Sequence, residues 1–484
     1  MVTLLREPAR PAAIREHRLA PWFAVGTVCF GAFMGQLDAS VVTVAFPALQ
    51  RQFGAGLAAV QWVSLAYLLA LTTLLVPAGR WSDRAGRKLL YLYGFVVFAA
   101  ASAGCGLVTS IGMLIALRLV QAAGAAMLQA NSVALVVTSV PARKRRAALG
   151  VQAAAQAIGL ASGPVLGGLI VAAVGWRWVF FLNVPVGVIA VAAGVFLLPR
   201  TRQRAESRGT DPAGMVLLAV STTAGMLAIS SLSGLGMPAW AVGCCAAGAV
   251  VAAATLWRQE RRSAAPLLDL PSLAANGTAR ALCGALCSYL VLFGPLVLFP
   301  QVVSAQGGSA LAAGLLLTSL PAGFGVAAVL GDRLLPARWP NSRRCAVGGV
   351  LASGCAAALA VPAPHPVSVV LLGLLGAGLG VYTPANNAEI MTALPAGDAA
   401  AAGGMVNMTR GIGTALGVAV VTLGLHAGAL LSHSGVGTGQ ETGQEVAMAA
   451  LAVVALAAAW AGMTASGSQS RPARPGSQAG AGLA

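Results

Sequence analysis

The sequence predicts an all-α polytopic membrane protein with fourteen spans. Composition, the lengths of the apolar runs and the placement of basic residues lead to that reading. Of 484 residues, 58% are hydrophobic and only 9% charged, with a mean hydropathy of +0.82. Ordinary soluble domains are about 25% charged, so a soluble fold is excluded. A helix crossing the hydrocarbon needs about 20 mainly apolar residues. Such runs fall at 21–47, 58–78, 89–109, 111–134, 148–173, 179–198, 212–232, 238–257, 279–302, 309–331, 344–362, 367–388, 400–424 and 445–465. The connections are short and leave no room for a soluble domain. The tail from 466, rich in Ser, Gly, Pro and Arg, reads as disordered. The first run is too long for the core of a cleaved signal peptide and reads as a retained span.

The net charge of +17 does not form one basic domain, which sets aside a nucleic-acid partner. It arrives in small groups between spans. With the N-terminus placed in the cytoplasm, the cytoplasmic segments collect Arg6, Arg10, Arg15 and Arg18 in the arm. They also collect Arg80, Arg84, Arg87 and Lys88, then Arg143, Lys144, Arg145 and Arg146, and further groups of the same kind downstream. Only Arg51 and Arg177 fall outside, and Arg118 and Arg410 lie within spans. The positive-inside rule then requires an even number of spans and two cytoplasmic termini in the cell membrane. Trp22, Trp62, Trp176, Trp178, Trp240 and Trp257 sit near span ends, as interfacial anchors do. The eight cysteines include Cys283 and Cys287 on one helix face, but no His accompanies them and no CxxC occurs. They read as small packing residues, with no metal and no cofactor.

Three stretches carry pattern. GRWSDRAGRK (79–88) joins the second and third spans; Gly79 and Gly86 permit a tight turn, and Asp83 is a lone carboxylate among Arg84, Arg87 and other cations. RLVQAAGAA (118–126) lies in the fourth span. GLASGPVLGG (159–168) lies in the fifth, inside a stretch without charge. There Gly159, Gly163 and Gly167 are spaced by four, with Gly168 beside them, and line one helix face that admits a neighbouring backbone. Pro164 removes a hydrogen bond and bends the helix. Such a seam suits halves that move against each other.

In this order and spacing the three stretches resemble the signature motifs of the major facilitator superfamily, the seam being typical of its antiporters. LDASVVTVAFP (37–47) and WRWVFFLNVPVG (176–187) narrow the resemblance to the fourteen-span drug:proton antiporters of that superfamily. It implies two six-helix bundles, 21–198 and 266–465, around a central cavity. A helix pair is inserted at 199–265, with a cytoplasmic arm at 1–20 and a tail at 466–484. It also implies that Asp83 faces the N-terminus of a second-half helix, here near residue 400, where an anion is favourable. The second-half loop, GDRLLPAR from Gly331, has Leu335 where the carboxylate would fall and Arg338 where the second Gly would. The resemblance therefore does not extend a symmetrical gate to that half.

Asp38 is the leading candidate for proton coupling. It lies about 25 Å along its helix, at ~1.5 Å per residue. A charge at that depth costs roughly 2.5–3.5 kcal/mol on insertion scales. Arg118 lies at a matching depth, about 10 Å below the end of its own span. Desolvation raises a carboxylate's affinity for a proton and a neighbouring Arg lowers it. The pair could thus switch, exchanging proton for substrate; the alternative is a static link that fixes helix register. Gln36, Tyr67, Gln121, Gln129, Gln156, Gln301, Asn386 and Asn387 are polar groups in or beside spans. They either line a cavity or bridge helices. For Arg410, a pair with Glu389 and snorkelling to the surface are the alternatives. No HExxH, GxSxG or Walker sequence occurs, which argues against an enzyme or an ATP-driven pump. The expected function is proton-coupled export of a drug- or antibiotic-like amphipathic molecule, neutral or cationic, by a monomer in the lipid bilayer. Import of an organic nutrient on the same fold is the alternative.

Overall fold

The computed structural model describes residues 7, 9–55, 57–201, 211–232, 237–263, 277–306, 310–393, 399–432 and 439–465. The expected disorder of 466–484 and the basic residues Arg6, Arg202, Arg204, Arg208, Arg471 and Arg474 lie outside them. Among the described residues there is no strand.

The long helices are α1 (Ala20–Val44), α2 (Leu57–Ala85), α3 (Arg87–Leu107), α4 (Ile111–Ser139) and α5 (Arg145–Ala173). After them come α6 (Arg177–Leu197, interrupted at Leu182), α7 (Pro212–Leu232) and α8 (Ala239–Arg262). The series continues with α9 (Thr278–Ala305), α10 (Ala310–Leu334), α11 (Asn341–Ala360), α12 (His365–Ala393), α13 (Ala399–Ser432) and α14 (Gly439–Ala465). Eleven helices among the described residues are long and apolar enough to cross a membrane, or twelve if the bent α5 is one span. The protein is therefore a multi-pass membrane protein. Helices α10 and α11 are not among those eleven; α11 has only 20 residues and opens with Arg343 and Arg344 in its first turn.

Packing repeats across the two halves. Helix α1 packs on α5, α2 on α4, and α3 on α4 and α6; eight helices later, α9 packs on α13, α10 on α12, and α11 on α12 and α14. The halves meet where α2 and α4 touch α13 and where α5 touches α10 and α12. Helices α7 and α8 form a hairpin whose α7 lies against α2 and α13. Their faces stay largely exposed within the protein, as lipid contact requires.

Two expectations about local structure change. The 79–88 stretch is not a loop: α2 continues to Ala85 and α3 starts at Arg87. Gly86 alone turns the chain, with φ 122°, a conformation that favours glycine. Gly79 is helical. Trp176 is not an interfacial anchor: it is buried, edge-on to Phe53 and Phe180. Trp178 and Trp240 remain exposed.

Candidate functional site

Burial among apolar helices makes an unpartnered polar group costly. Asp38 on α1, six residues or about 9 Å before the helix ends at Val44, is 2% exposed and Arg118 on α4 is fully buried. Arg118 Nη1 donates to Asp38 Oδ2 at 2.6 Å and to Gln121 Oε1 at 2.6 Å, while its Nε donates to the Val63 carbonyl at 3.1 Å. The other carboxylate oxygen, Oδ1, accepts from Gln121 Nε2 at 3.0 Å and from Asn183 Nδ2 at 2.9 Å. Both amides also reach Ser102 Oγ, at 2.6 and 3.3 Å. The charge pair is thus held by five helices, α1, α2, α3, α4 and α6.

Tyr67 of α2 covers this network. Its ring centroid lies 4.0 Å from the Arg118 guanidinium carbon. Tyr67 also lines a cavity of about 800 Å³ between the two halves, a volume within the usual range for ligand sites. The cavity runs from Leu75, Gln129 and Asn407 at its floor to Thr43 and Pro300 near the opposite ends of α1 and α9. Its walls are mostly apolar. Asp38 and Arg118 do not line it: the pair sits one side chain behind the wall.

Gln36, Tyr67 and Gln129 line the cavity, and Gln156 lines a small recess beside it, accepting from Tyr289 Oη at 3.3 Å. Two expected lining residues do not. Gln121 is spent on Asp38 and Ser102, and Asn386 is buried and donates to the Ala281 carbonyl at 2.9 Å. Asn387 is buried as well, and Gln301 is exposed, its amide returning to the Val297 carbonyl. Arg410 is neither snorkelling nor paired with Glu389. It lies buried on the cavity wall, donating to Asn407 Oδ1 at 3.1 Å, with its guanidinium 4.9 Å from the Tyr289 ring centroid. Sequence reading missed Ser102, Asn183, Tyr289 and Asn407; of these only Asn183 lay in a recognised stretch, 176–187.

At the end bearing the basic loops, Asp83 Oδ1 and Oδ2 accept from the backbone amides of Ala400 (3.0 Å) and Ala401 (2.8 Å), the first turn of α13. Arg87 Nε donates to the same carboxylate at 2.8 Å, and Arg84 lies half-buried on the preceding turn. A Cβ at Gly79 would meet the Ala400 carbonyl at 2.5 Å, so the glycine permits this approach. The second half has its own link after all, carried by Asp332 rather than position 335. Asp332 accepts from Arg146 at the start of α5 and from Arg344 Nη1 at 3.0 Å.

The α5 seam packs α5 on α1 inside the first bundle, not one half on the other. Added Cβ atoms at Gly159, Gly163 and Gly167 would meet Phe33, Ser40 and Val41, whereas Gly168 faces open space and is no part of it. The helix bends by 42° across Pro164, between Gly163 and Val165. The contact of α5 with the other half lies lower, at Gly150 against Ala328.

The sequence profile of the Major Facilitator Superfamily matches residues 28–418. The chain belongs to the major facilitator superfamily. That membership indicates a transporter rather than an enzyme. Among superfamily relatives, the methylenomycin A resistance protein of Streptomyces coelicolor is 32% identical over 88% of this chain and 90% of its own length. The riboflavin transporter of Clostridioides difficile is 28% identical over 82% and 87%. An uncharacterized MFS-type transporter of Mycobacterium tuberculosis is 42% identical, over 41% of this chain and 34% of that protein. The crystal structure of the human organic anion transporter MFSD10 shares the fold, with a TM-score of 0.66 at 16% identity, covering 91% of this chain and 99% of that one.

Proposed function

We propose that the protein is a proton-coupled antiporter that exports a drug- or antibiotic-like amphipathic small molecule across the cytoplasmic membrane. It acts as a monomer with both termini in the cytoplasm. All fourteen long helices cross the bilayer: α10 and α11 pair with α12 as α2 and α3 pair with α4, and twelve of them form the bundles 21–198 and 266–465. The inserted pair lies within 199–265. Similarity to the methylenomycin A resistance protein supports export.

The carrying observation is the buried Asp38–Arg118 pair seated behind Tyr67, a wall residue of the cavity. Protonating Asp38 leaves the buried Arg118 charge without its counterion, a state that favours rearrangement. Substrate entering the cavity presses on Tyr67 and biases the same network. Two ligands acting on one bistable element exert reciprocal effects on each other, which is what exchange requires. With the basic loops cytoplasmic, Asp83 and Asp332 brace the cytoplasmic closure and the cavity belongs to the outward side.

The test is Asp38→Asn in everted vesicles. The substitution keeps the volume and removes the carboxylate that would bind the proton. The expected outcome is loss of drug resistance and of pH-gradient-driven transport, with normal amounts of protein in the membrane. Normal transport by the variant overturns the reading. Similarity to a riboflavin transporter favours import as the second reading; an importer raises drug accumulation in expressing cells, an exporter lowers it.

A further inference from the structure

Among the described residues, the cavity wall carries one ionised side chain, and it is a cation. Arg410 is 4% exposed, and its Nε has no hydrogen-bond acceptor. Among the described residues no Asp or Glu lines the cavity; the Asp38 carboxylate is spent on Arg118, Gln121 and Asn183 behind Tyr67.

The guanidinium is also held in place. Asn407 donates through Nδ2 to the Gln129 carbonyl at 2.8 Å and the Gly403 carbonyl at 3.0 Å, which fixes its Oδ1 toward Arg410. Tyr289, under the guanidinium, donates to Gln156. A planar, pre-ordered fork with an unused donor suits a planar acid group. The rest of the wall is mostly apolar, with Leu68, Leu71, Phe293, Leu296 and Val418. An isolated positive charge in such walls attracts anions and repels cations far more than it would in water.

We propose that the cavity takes amphipathic organic anions, a carboxylate or similar acid on an apolar or aromatic body, with Arg410 as the anion anchor. This departs from the neutral or cationic substrate expected from the sequence. It rests on the cavity being the substrate site of the proposed exporter.

Two dyes with the same ring system and opposite charge, fluorescein and rhodamine 6G, provide the test. Their binding to purified protein in phosphatidylcholine nanodiscs is followed by fluorescence anisotropy, with empty nanodiscs subtracted, so that lipid adds no net charge. Fluorescein is expected to bind at least about tenfold tighter than rhodamine 6G, the size of one charged hydrogen-bonding contact. Arg410→Gln removes that preference, and Arg410→Lys, which keeps the charge without the fork, retains part of it. Equal or tighter binding of rhodamine 6G, no binding of fluorescein, or an unchanged preference in folded Arg410→Gln overturns the assignment. Should Arg410→Gln not fold, the wild-type preference and its reduction in Arg410→Lys decide. Charge preference without pH-gradient-driven transport counts against the exporter alone; transport without charge preference counts against the anion anchor alone.

Discussion

Tyr67 packs its ring against Arg118 and is also a wall residue of the cavity, and its buried hydroxyl has no hydrogen-bond partner. Removing an unsatisfied hydroxyl is close to neutral, whereas removing the ring opens a void and uncovers a buried charge. Tyr67→Phe is therefore expected to melt within about 0.5 kcal/mol of wild type, and Tyr67→Ala about 3 kcal/mol or more lower. Thermal unfolding of the purified protein checks both; equal melting of the two variants would contradict the covering role. Asp38 and Arg118 stood out in sequence because a charge inside an apolar run is costly and needs a reason. Ser102, Asn183 and Asn407 did not, since Ser and Asn are ordinary in membrane helices and only their neighbours make them special. Gln121 and Asn386 misled for the same cause: a polar side chain in a span has a face, and spacing along one helix does not say what that face meets.

Helices α1 and α5 touch through glycine, and this is where substitution separates packing from bystanders. A Cβ at Gly163 would land on Ser40, while one at Gly168 meets nothing within 4 Å. Gly163→Ala is expected to lower the melting temperature or shift the protein toward aggregates in size exclusion. Gly168→Ala is expected to be neutral or stabilising by up to about 1 kcal/mol, the intrinsic gain of Ala over Gly in a helix. Similar losses from both would mean that the seam extends further than the contacts place it. Helix positions were legible from apolar run lengths. Their ends were less so: α2 runs on through Asp83 to Ala85 because its last turns are buried against α13, a contact that hydropathy does not record.

The two halves meet backbone to backbone at the Asp83 end. Gly403 faces the Ala130 carbonyl, Gly404 the Leu75 carbonyl and Gly150 the Ala328 carbonyl, while Gly79 faces Ala400. No side chain fits in these contacts, so a large residue keeps the halves apart there. Gly404→Leu is expected to raise trypsin cleavage at Arg143, Lys144, Arg145 and Arg146 several-fold, with the opposite end of the cavity narrowing. An unchanged cleavage rate in folded protein would show that this contact does not set the conformation. The equivalent Asp332–Arg146–Arg344 cluster was not visible in the motif, because its carboxylate stands three residues before the position the first half uses.

Hydropathy and charge placement were enough to establish that the chain is a bundle of membrane helices. These are local quantities: apolar length sets a span, and each loop's charge is read independently of the others. The pairing of Asp38 with Arg118, the screen that Tyr67 puts between them and the cavity, and the sign of the charge on the cavity wall came only from packing. Each depends on which face of one helix meets which face of another. In an apolar solvent that choice is settled by close contact and hydrogen-bond satisfaction between segments up to 318 residues apart.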